Sequence, residues 1–103
     1  MTELRMAPEA RARAVAEVAG LIRDVPDFPS PGILFRDITP VLRSAAALRT
    51  AVRLHLDAIA DLAGCVDRVV GVESRGFLFG MPVAHALGVG FVPARQPGTL
   101  PAA

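Results

Sequence analysis

The architecture of this 103-residue chain follows from one segment, Arg68-Val69-Val70-Gly71-Val72-Glu73-Ser74-Arg75-Gly76. Its β-branched first half predicts a buried parallel strand over residues 68–72, and its second half predicts a tight turn. Downstream, residues 77–87 read as a helix closed by Gly88, and residues 90–94 read as a second strand. Strand, turn, helix and strand in this order predict a right-handed βαβ unit, and therefore an α/β fold.

The turn at residues 73–76 is the first candidate site. Parallel sheets bind ligands beyond the carboxyl ends of their strands, and the free amides at a helix N-terminus attract anions. Arg75 adds a fixed charge in this turn, and Arg95 follows the second strand, so we expect both side chains to face the same ligand. The pattern favours a phosphate or a pyrophosphate. The alternative is a loop whose Glu73 and Arg75 are only solvated, and spacing alone does not decide between the two.

Upstream of the βαβ unit, the sequence predicts two helices and an extended segment. Residues 8–23 carry apolar side chains at helical spacing, and so do residues 44–63, where Ser44 is placed to cap the helix. Residues 25–32 contain three prolines and predict a rigid connector, which leads into an extended run at residues 33–38. The first helix carries one apolar stripe, formed by Val15, Val18, Ala19 and Ile22. The predicted buried side of the second helix, which Gly64 would end, is Leu48, Val52, His55, Ile59 and Leu62.

The extended run contains the second candidate site, Leu34-Phe35-Arg36. An extended backbone offers N–H and C=O groups to the edge of a planar ligand, and an aromatic ring can stack on its face. Adenine suits such a site because its edge carries both a donor and acceptors. The alternative, which this run taken alone favours, is an edge strand with Phe35 in the core and Arg36 paired with Asp37 at the surface.

Composition excludes several classes of function. Hydrophobic residues make up 52% of the chain and charged residues 20%, which rules out a disordered chain. The net charge of +1 gives no reason to expect binding to nucleic acid or to a membrane surface. Lysine is absent, which excludes Schiff-base chemistry, and the single Cys65 excludes both an intrachain disulfide and a cysteine zinc site. No secretory signal is visible, so we expect a reducing, cytoplasmic setting.

Three motifs resemble those of the adenine phosphoribosyltransferase family. They are residues 26–42 (PDFPSPGILFRDITPVL), residues 73–80 (ESRGFLFG) and residues 88–95 (GVGFVPAR), in the family's order and at similar separations. The resemblance implies an incomplete type I phosphoribosyltransferase fold, with a parallel βαβ core, an N-terminal helix and a base-binding hood segment. It further implies that residues 1–43 hold the helix and the base-binding segment, and that residues 44–103 begin the α/β core.

The resemblance also implies an activity, which is transfer of the 5-phosphoribosyl group from phosphoribosyl pyrophosphate to adenine, giving AMP and pyrophosphate in purine salvage. Mg²⁺ would be bound with the substrate, with no metal ligand from the protein, and the family implies a cytoplasmic homodimer. The backbone of Leu34 and Arg36 would read the adenine edge, beside Phe35. The pyrophosphate would lie on Glu73, Ser74, Arg75 and Gly76, with a cis peptide between Glu73 and Ser74, and Arg75 and Arg95 would act catalytically by neutralising its charge.

The sequence departs from the family in ways that bear on activity. Family members carry two adjacent acidic residues before a Thr-Gly-rich loop that binds ribose and 5-phosphate, and this chain has no adjacent acidic pair. Gln96 and Thr99 stand where lysines are usual, and the chain ends soon after Leu100-Pro101, which opens the family's mobile loop. We therefore expect impaired or absent turnover, and an uncovered sheet edge and apolar face unless a partner covers them.

Two alternatives to the enzyme follow from these departures. The first is a non-catalytic remnant that binds purine or pyrophosphate or that dimerises. The second is a related domain that acts on another base or in regulation.

Overall fold

A computed structural model describes residues 4–98 of the chain, and these divide into two compact units, residues 4–58 and residues 59–98. The second long helix packs against the first one and so belongs to the N-terminal unit. Within residues 4–98, no helix combines the length and the apolar character needed to cross a membrane.

The N-terminal unit contains three helices and an antiparallel hairpin. In chain order its elements are α1 (Pro8–Ala19), β1 (Arg23–Pro26), β2 (Leu34–Asp37), α2 (Thr39–Arg43) and α3 (Ala45–Ala58). Pro8 suits the first turn of α1, where a missing N–H costs nothing. The prediction that this helix reaches Arg23 was wrong, because Arg23 pairs with Asp37 in the hairpin and the helix ends at Ala19.

The hairpin replaces the predicted connector. Arg23–Pro26 pairs with Leu34–Asp37 in antiparallel register, and only the residues between the strands form a turn. Within that turn, the amide of Phe28 donates to the carbonyl of Ile33 at 3.0 Å, and the peptide bond before Pro29 is cis. Prolines restrict the preceding residue to extended geometry, so the proline content that predicted a connector is equally compatible with a strand that ends at Pro26.

The interface between α1 and α3 is built mostly from alanines. Ser44 caps α3 as predicted, since its Oγ accepts a hydrogen bond from the amide of Ala47 at 3.1 Å, but the helix ends at Ala58. The predicted faces were right in part: Val18, Leu48 and Val52 are half-buried. Val15 is 50% exposed, and Leu62, which lies beyond the end of α3, is 61% exposed. The buried residues are Ala14 on α1 and Ala47, Ala51, Leu56 and Asp57 on α3.

Asp57 is the buried charge of this unit. Its carboxylate accepts hydrogen bonds from Arg11 Nε at 2.7 Å and from the amide of Met6 at 2.6 Å. The hydrogen bond from Arg11 and then that from Met6 lower the pKa of Asp57 to about 2. The carboxylate therefore stays ionised and ties the start of the chain and α1 to α3.

The C-terminal unit is the predicted βαβ unit. A short 3₁₀ helix at Ala63–Cys65, which contains Gly64, leads into β3 (Arg68–Val72), α4 (Arg75–Leu87) and β4 (Gly90–Ala94). Strands β3 and β4 pair in parallel register, and both have the bounds that the sequence predicted. Helix α4 begins two residues earlier than predicted and ends, as predicted, at Gly88, whose φ of 74° is left-handed.

The Phe91 ring holds β3, α4 and β4 together. It lies edge-on to Phe77 with 6.0 Å between the ring centroids, and it fills the space that side chains on Gly71 and Gly80 would need. A methyl group on Gly71 would also overlap the carbonyl oxygen of Gly76. Glycine is therefore required at residue 71 because strand and helix approach so closely.

The other face of the β3–β4 sheet is exposed. Val70 is 63% exposed and Val72 is 67% exposed, so the prediction that this strand is buried was wrong. β-branched composition predicts a strand but says nothing about which faces are covered. Here α4 covers only the face that carries Phe91.

Candidate functional site

A cavity of about 540 Å³ opens where the carboxyl ends of the parallel strands meet. Its walls come from the last residue of each strand and from the residues that follow them: Val72, Glu73, Ala94, Arg95 and Gln96. Strand order alone places these residues together, since β3 and β4 are parallel neighbours. The sequence predicted a ligand site at this end of the sheet, and the cavity lies there.

The backbone between β3 and α4 turns sharply at Ser74. The peptide bond between Glu73 and Ser74 is cis, as the family resemblance implies. The amide of Glu73 donates to the carbonyl of Ala94 at 3.1 Å, and the amide of Phe77 donates to the carbonyl of Ser74 at 3.0 Å. Within residues 4–98, the amides of Ser74 and Gly76 have no such acceptor. These two donors lie at the N-terminus of α4, where backbone dipoles favour an anion.

Two oppositely charged side chains meet in the cavity wall. Arg95 Nε lies 3.4 Å from Glu73 Oε1, and the two side chains are 34% and 38% exposed. The structure therefore brings together Glu73 and Arg95, which the sequence analysis assigned to one ligand. Arg75 is the first residue of α4, and among the described residues it does not belong to the set that lines this cavity.

The second candidate site lies on β2, in the other unit. Leu34 is 48% exposed and Phe35 is half-buried, so the side chains alternate as they do in a strand with one covered face. The Phe35 ring is edge-on to Phe28, with 5.3 Å between the centroids. Arg36 Nε lies 3.1 Å from Asp24 Oδ1 across the hairpin.

The side-chain partners on β2 differ from the predicted surface pair. Arg36 pairs with Asp24 and not with Asp37, because neighbours in a strand point to opposite faces. Asp37 instead accepts hydrogen bonds from the hydroxyl of Thr39 at 2.6 Å and from Arg23 at 2.6 Å. Its pKa falls to about 2, chiefly through the hydroxyl and the amide of Thr39 and then through Arg23.

Two neighbours of the β2 site were missed by the sequence analysis, Phe28 and Asp24. Both lie in or next to the segment interpreted as a connector, and their contacts exist only because that segment folds back as a hairpin. The signal was present in the sequence, since Asp24 and Arg36 carry opposite charges on either side of the proline-rich segment, as in a cross-strand pair. Thr99, Leu100 and Pro101, which the sequence analysis also singled out, lie outside the described residues.

Solved structures share this architecture. Adenine phosphoribosyltransferase from Saccharomyces cerevisiae, complexed with an iminoaltritol bisphosphate and adenine, matches with a TM-score of 0.82 and 40% identity, over 89% of this chain and 56% of that one. The enzyme from Rhodothermus marinus matches with a TM-score of 0.78 and 47% identity, over 89% of this chain and 51% of that one. The fold is therefore that of the type I phosphoribosyltransferases, over about half of their length.

Curated sequences match this chain as well. An adenine phosphoribosyltransferase from a Nocardioides species is 54% identical over 98 residues, which cover 93% of this chain and 53% of the relative. The chain spans about half the length of the curated relatives it matches. A scan against models of protein families gives no match. The predicted resemblance is confirmed, and the chain is homologous to the adenine phosphoribosyltransferases over that half.

Proposed function

We propose that this chain carries the pyrophosphate-binding and adenine-binding segments of an adenine phosphoribosyltransferase of purine salvage. The reaction transfers the 5-phosphoribosyl group of phosphoribosyl pyrophosphate to adenine and yields AMP and pyrophosphate. The observation that carries the proposal is the cavity at the carboxyl ends of β3 and β4, with Arg95 in its wall and, at the start of α4, the amides of Ser74 and Gly76, which have no backbone acceptor within residues 4–98. The yeast relative, which contains adenine, supports the same substrate class.

The pyrophosphate would lie on the turn at residues 73–76. The amides of Ser74 and Gly76 would donate to its oxygens, and Arg95 would contribute a planar guanidinium that suits a phosphate. Arg75, at the start of α4, would add a second positive charge. As the bond at the anomeric carbon breaks, negative charge develops on the leaving pyrophosphate, so donors already fixed in place lower the barrier.

Adenine would lie against β2. One edge of this strand pairs with β1, and within residues 4–98 no strand pairs with the other edge. The backbone groups of Leu34 and Arg36 would read the edge of the base, and the Phe35 ring would border its face. This arrangement reads a planar ligand through main-chain donors and acceptors and needs no charged side chain.

Mg²⁺ belongs to the chemistry that the family resemblance implies. Within residues 4–98, no group of three or more His, Cys, Asp or Glu side chains is placed to hold a metal ion. Mg²⁺ would arrive on the phosphate oxygens of the substrate, as is usual for this small, strongly hydrated ion.

Calorimetric titration with pyrophosphate tests the first site. The wild-type chain should release or take up heat with pyrophosphate, and Arg95→Ala should weaken the affinity by about tenfold or more, since a hydrogen bond to a charged group is lost. Arg75→Ala should weaken it as well. The matched control is Arg68→Ala, which removes the same charge at the opposite end of β3 and should change the affinity less than about twofold. Equal losses in all three variants would contradict a defined site.

Titration with adenine and an assay for AMP test the rest of the proposal. Adenine should bind the wild-type chain, and Phe35→Ala should weaken that binding. AMP formation from adenine, phosphoribosyl pyrophosphate and Mg²⁺ separates an enzyme from a binding remnant, and we expect turnover to be weak or absent. A homodimer in the cytoplasm is part of the same proposal. Sedimentation of the purified chain tests whether it forms a dimer.

A further inference from the structure

We infer that the carboxylate of Glu73 competes with pyrophosphate for Arg95, so that this side chain weakens pyrophosphate binding and promotes its release. The inference rests on the proposed function, because it concerns the same cavity. Glu73 then has two separate roles. Its backbone forms part of the turn, whereas its carboxylate repels the pyrophosphate.

The charge of the cavity wall is the first argument. Of the five residues in the wall, Glu73 and Arg95 are charged and cancel each other, and the remaining ones, Val72, Ala94 and Gln96, are neutral. A wall with no net charge is a poor receptor for pyrophosphate, which carries several negative charges at neutral pH. The carboxylate contacts one donor of the guanidinium and offsets its charge, so a phosphate binds Arg95 more strongly once the carboxylate moves away.

The geometry of the pair is the second argument. Arg95 Nε and Glu73 Oε1 are 3.4 Å apart, a long contact, and both side chains are about one-third exposed. Such a pair is weak in water, so a ligand with several charges can displace the carboxylate at small cost. The carboxylate reaches Arg95 from a neighbouring strand, and it can return to the guanidinium as the ligand leaves.

The backbone amide of Glu73 already has a hydrogen-bond acceptor. Its amide donates to the carbonyl of Ala94 at 3.1 Å, which ties the end of β3 to the end of β4. This bond fixes the Cα position of Glu73 at the cavity, and it leaves no amide donor at residue 73 for a phosphate. The contribution of Glu73 to an anion therefore comes from its carboxylate, and like charges repel.

Substitution of the carboxylate by an amide tests this role. Glu73→Gln keeps the size of the side chain and removes its charge, and it should tighten pyrophosphate binding by about fivefold to tenfold in calorimetric titration. Glu73→Asp keeps the charge and should stay closer to the wild type than the amide does. Asp67→Asn removes the same charge from an exposed position in the same unit and should change the affinity by less than about twofold.

The outcomes separate this inference from the proposed function. If the wild-type chain binds pyrophosphate and Glu73→Gln binds it equally or more weakly, the competing role is overturned and the site stands. If neither protein binds, both are overturned. Glu73→Ala provides a second test should the amide variant unfold, and it too should bind pyrophosphate more tightly. Added salt should reduce the difference between wild type and Glu73→Gln, since a purely structural role would not respond to ionic strength.

Discussion

The two units of this chain hold their elements together in different ways. In residues 4–58, a partly buried ion pair between Arg11 and Asp57, which are 46 positions apart, joins the two long helices. In residues 59–98, one aromatic ring packs against glycines within a single βαβ unit. Substitutions should therefore act differently in the two units. The stability that an ion pair contributes depends on pH and salt, whereas a close backbone contact is sensitive to the volume of the substituted side chain.

The largest expected effect concerns the glycine contacts. Gly71→Ala should lower the free energy of unfolding of residues 59–98 by more than about 2 kcal/mol, because its methyl group would meet the Gly76 carbonyl and the Phe91 ring. Thermal unfolding followed by circular dichroism measures this loss. Gly64→Ala is the matched control, since no atom lies within 4 Å of the added methyl group, and it should be neutral or slightly stabilising. Equal behaviour of the two variants would contradict the close packing.

A smaller loss is expected at the buried carboxylate of the other unit. Asp57→Asn should destabilise residues 4–58 at neutral pH by weakening the hydrogen bonds from Arg11 and Met6. The Arg11 side chain is 40% exposed and can turn towards water, so its charge is not left stranded in the interior. Hydrogen exchange of the α1 and α3 amides measures the effect in this unit alone.

The carboxylate of Asp57 also makes the stability of residues 4–58 depend on pH. The pKa of Asp57 is lowered from 3.8 to about 2, so its stabilising contribution is complete above about pH 4 and is lost as the pH falls towards 2. The stabilities of wild type and Asp57→Asn should therefore converge between about pH 4 and pH 2 in urea titrations. Arg11→Met should raise the pKa of Asp57 towards its ordinary value in an NMR titration. A constant gap between wild type and Asp57→Asn at all pH values would contradict this account.

The aromatic pair of the hairpin should show a moderate coupling. Phe28 and Phe35 meet edge-on, a geometry that contributes about 0.5–1.5 kcal/mol beyond burial. A double-mutant cycle with Phe28→Leu and Phe35→Leu measures that coupling from urea unfolding. If the two substitutions are additive, the ring contact contributes nothing to the stability of the hairpin.

The smallest effect is expected from the exposed pair across the hairpin. Asp24 and Arg36 side chains are 60% and 65% exposed, so a double-mutant cycle should give a coupling of about 0.2–1 kcal/mol that decreases with added salt. Asp24→Asn and Arg36→Gln are suitable substitutions. A larger coupling that does not change with salt would contradict this expectation, because it would show that the pair behaves like the partly buried pair of Arg11 and Asp57.

The two units also differ in how far the sequence predicted them. Both strands of the βαβ unit have the predicted bounds, and Gly88 ends the helix, because each boundary is marked by a residue whose own chemistry sets the local backbone. The hairpin was missed because Arg23–Pro26 becomes a strand only through its pairing with Leu34–Asp37. On α3 the sequence predicted the half-buried Leu48 and Val52, but it missed the fully buried Ala47 and Ala51 beside them, because the position of α1 selects which side of the helix is most deeply covered.

For the candidate site, motif and strand order predicted the turn after β3, its cis peptide and the location of Arg95. The pairing of Glu73 with Arg95 was not predicted, since it depends on how far two side chains reach across neighbouring strands. Arg75 shares the turn but does not join the described wall of the cavity, because it already lies in the first turn of α4. Proximity in sequence therefore identified the site, and the side-chain directions required the fold.

Sequence alone determined the bounds of both strands and the end of the helix in the βαβ unit, and which family the chain resembles, because those features depend on local backbone preferences and on motifs. Only the tertiary structure decided which helix face is buried and which charges pair. It also decided that the carboxylate of Glu73 contacts the guanidinium of Arg95, the group proposed to bind an anion. These features depend on distances between residues that are far apart in the chain, and local preferences do not specify such distances.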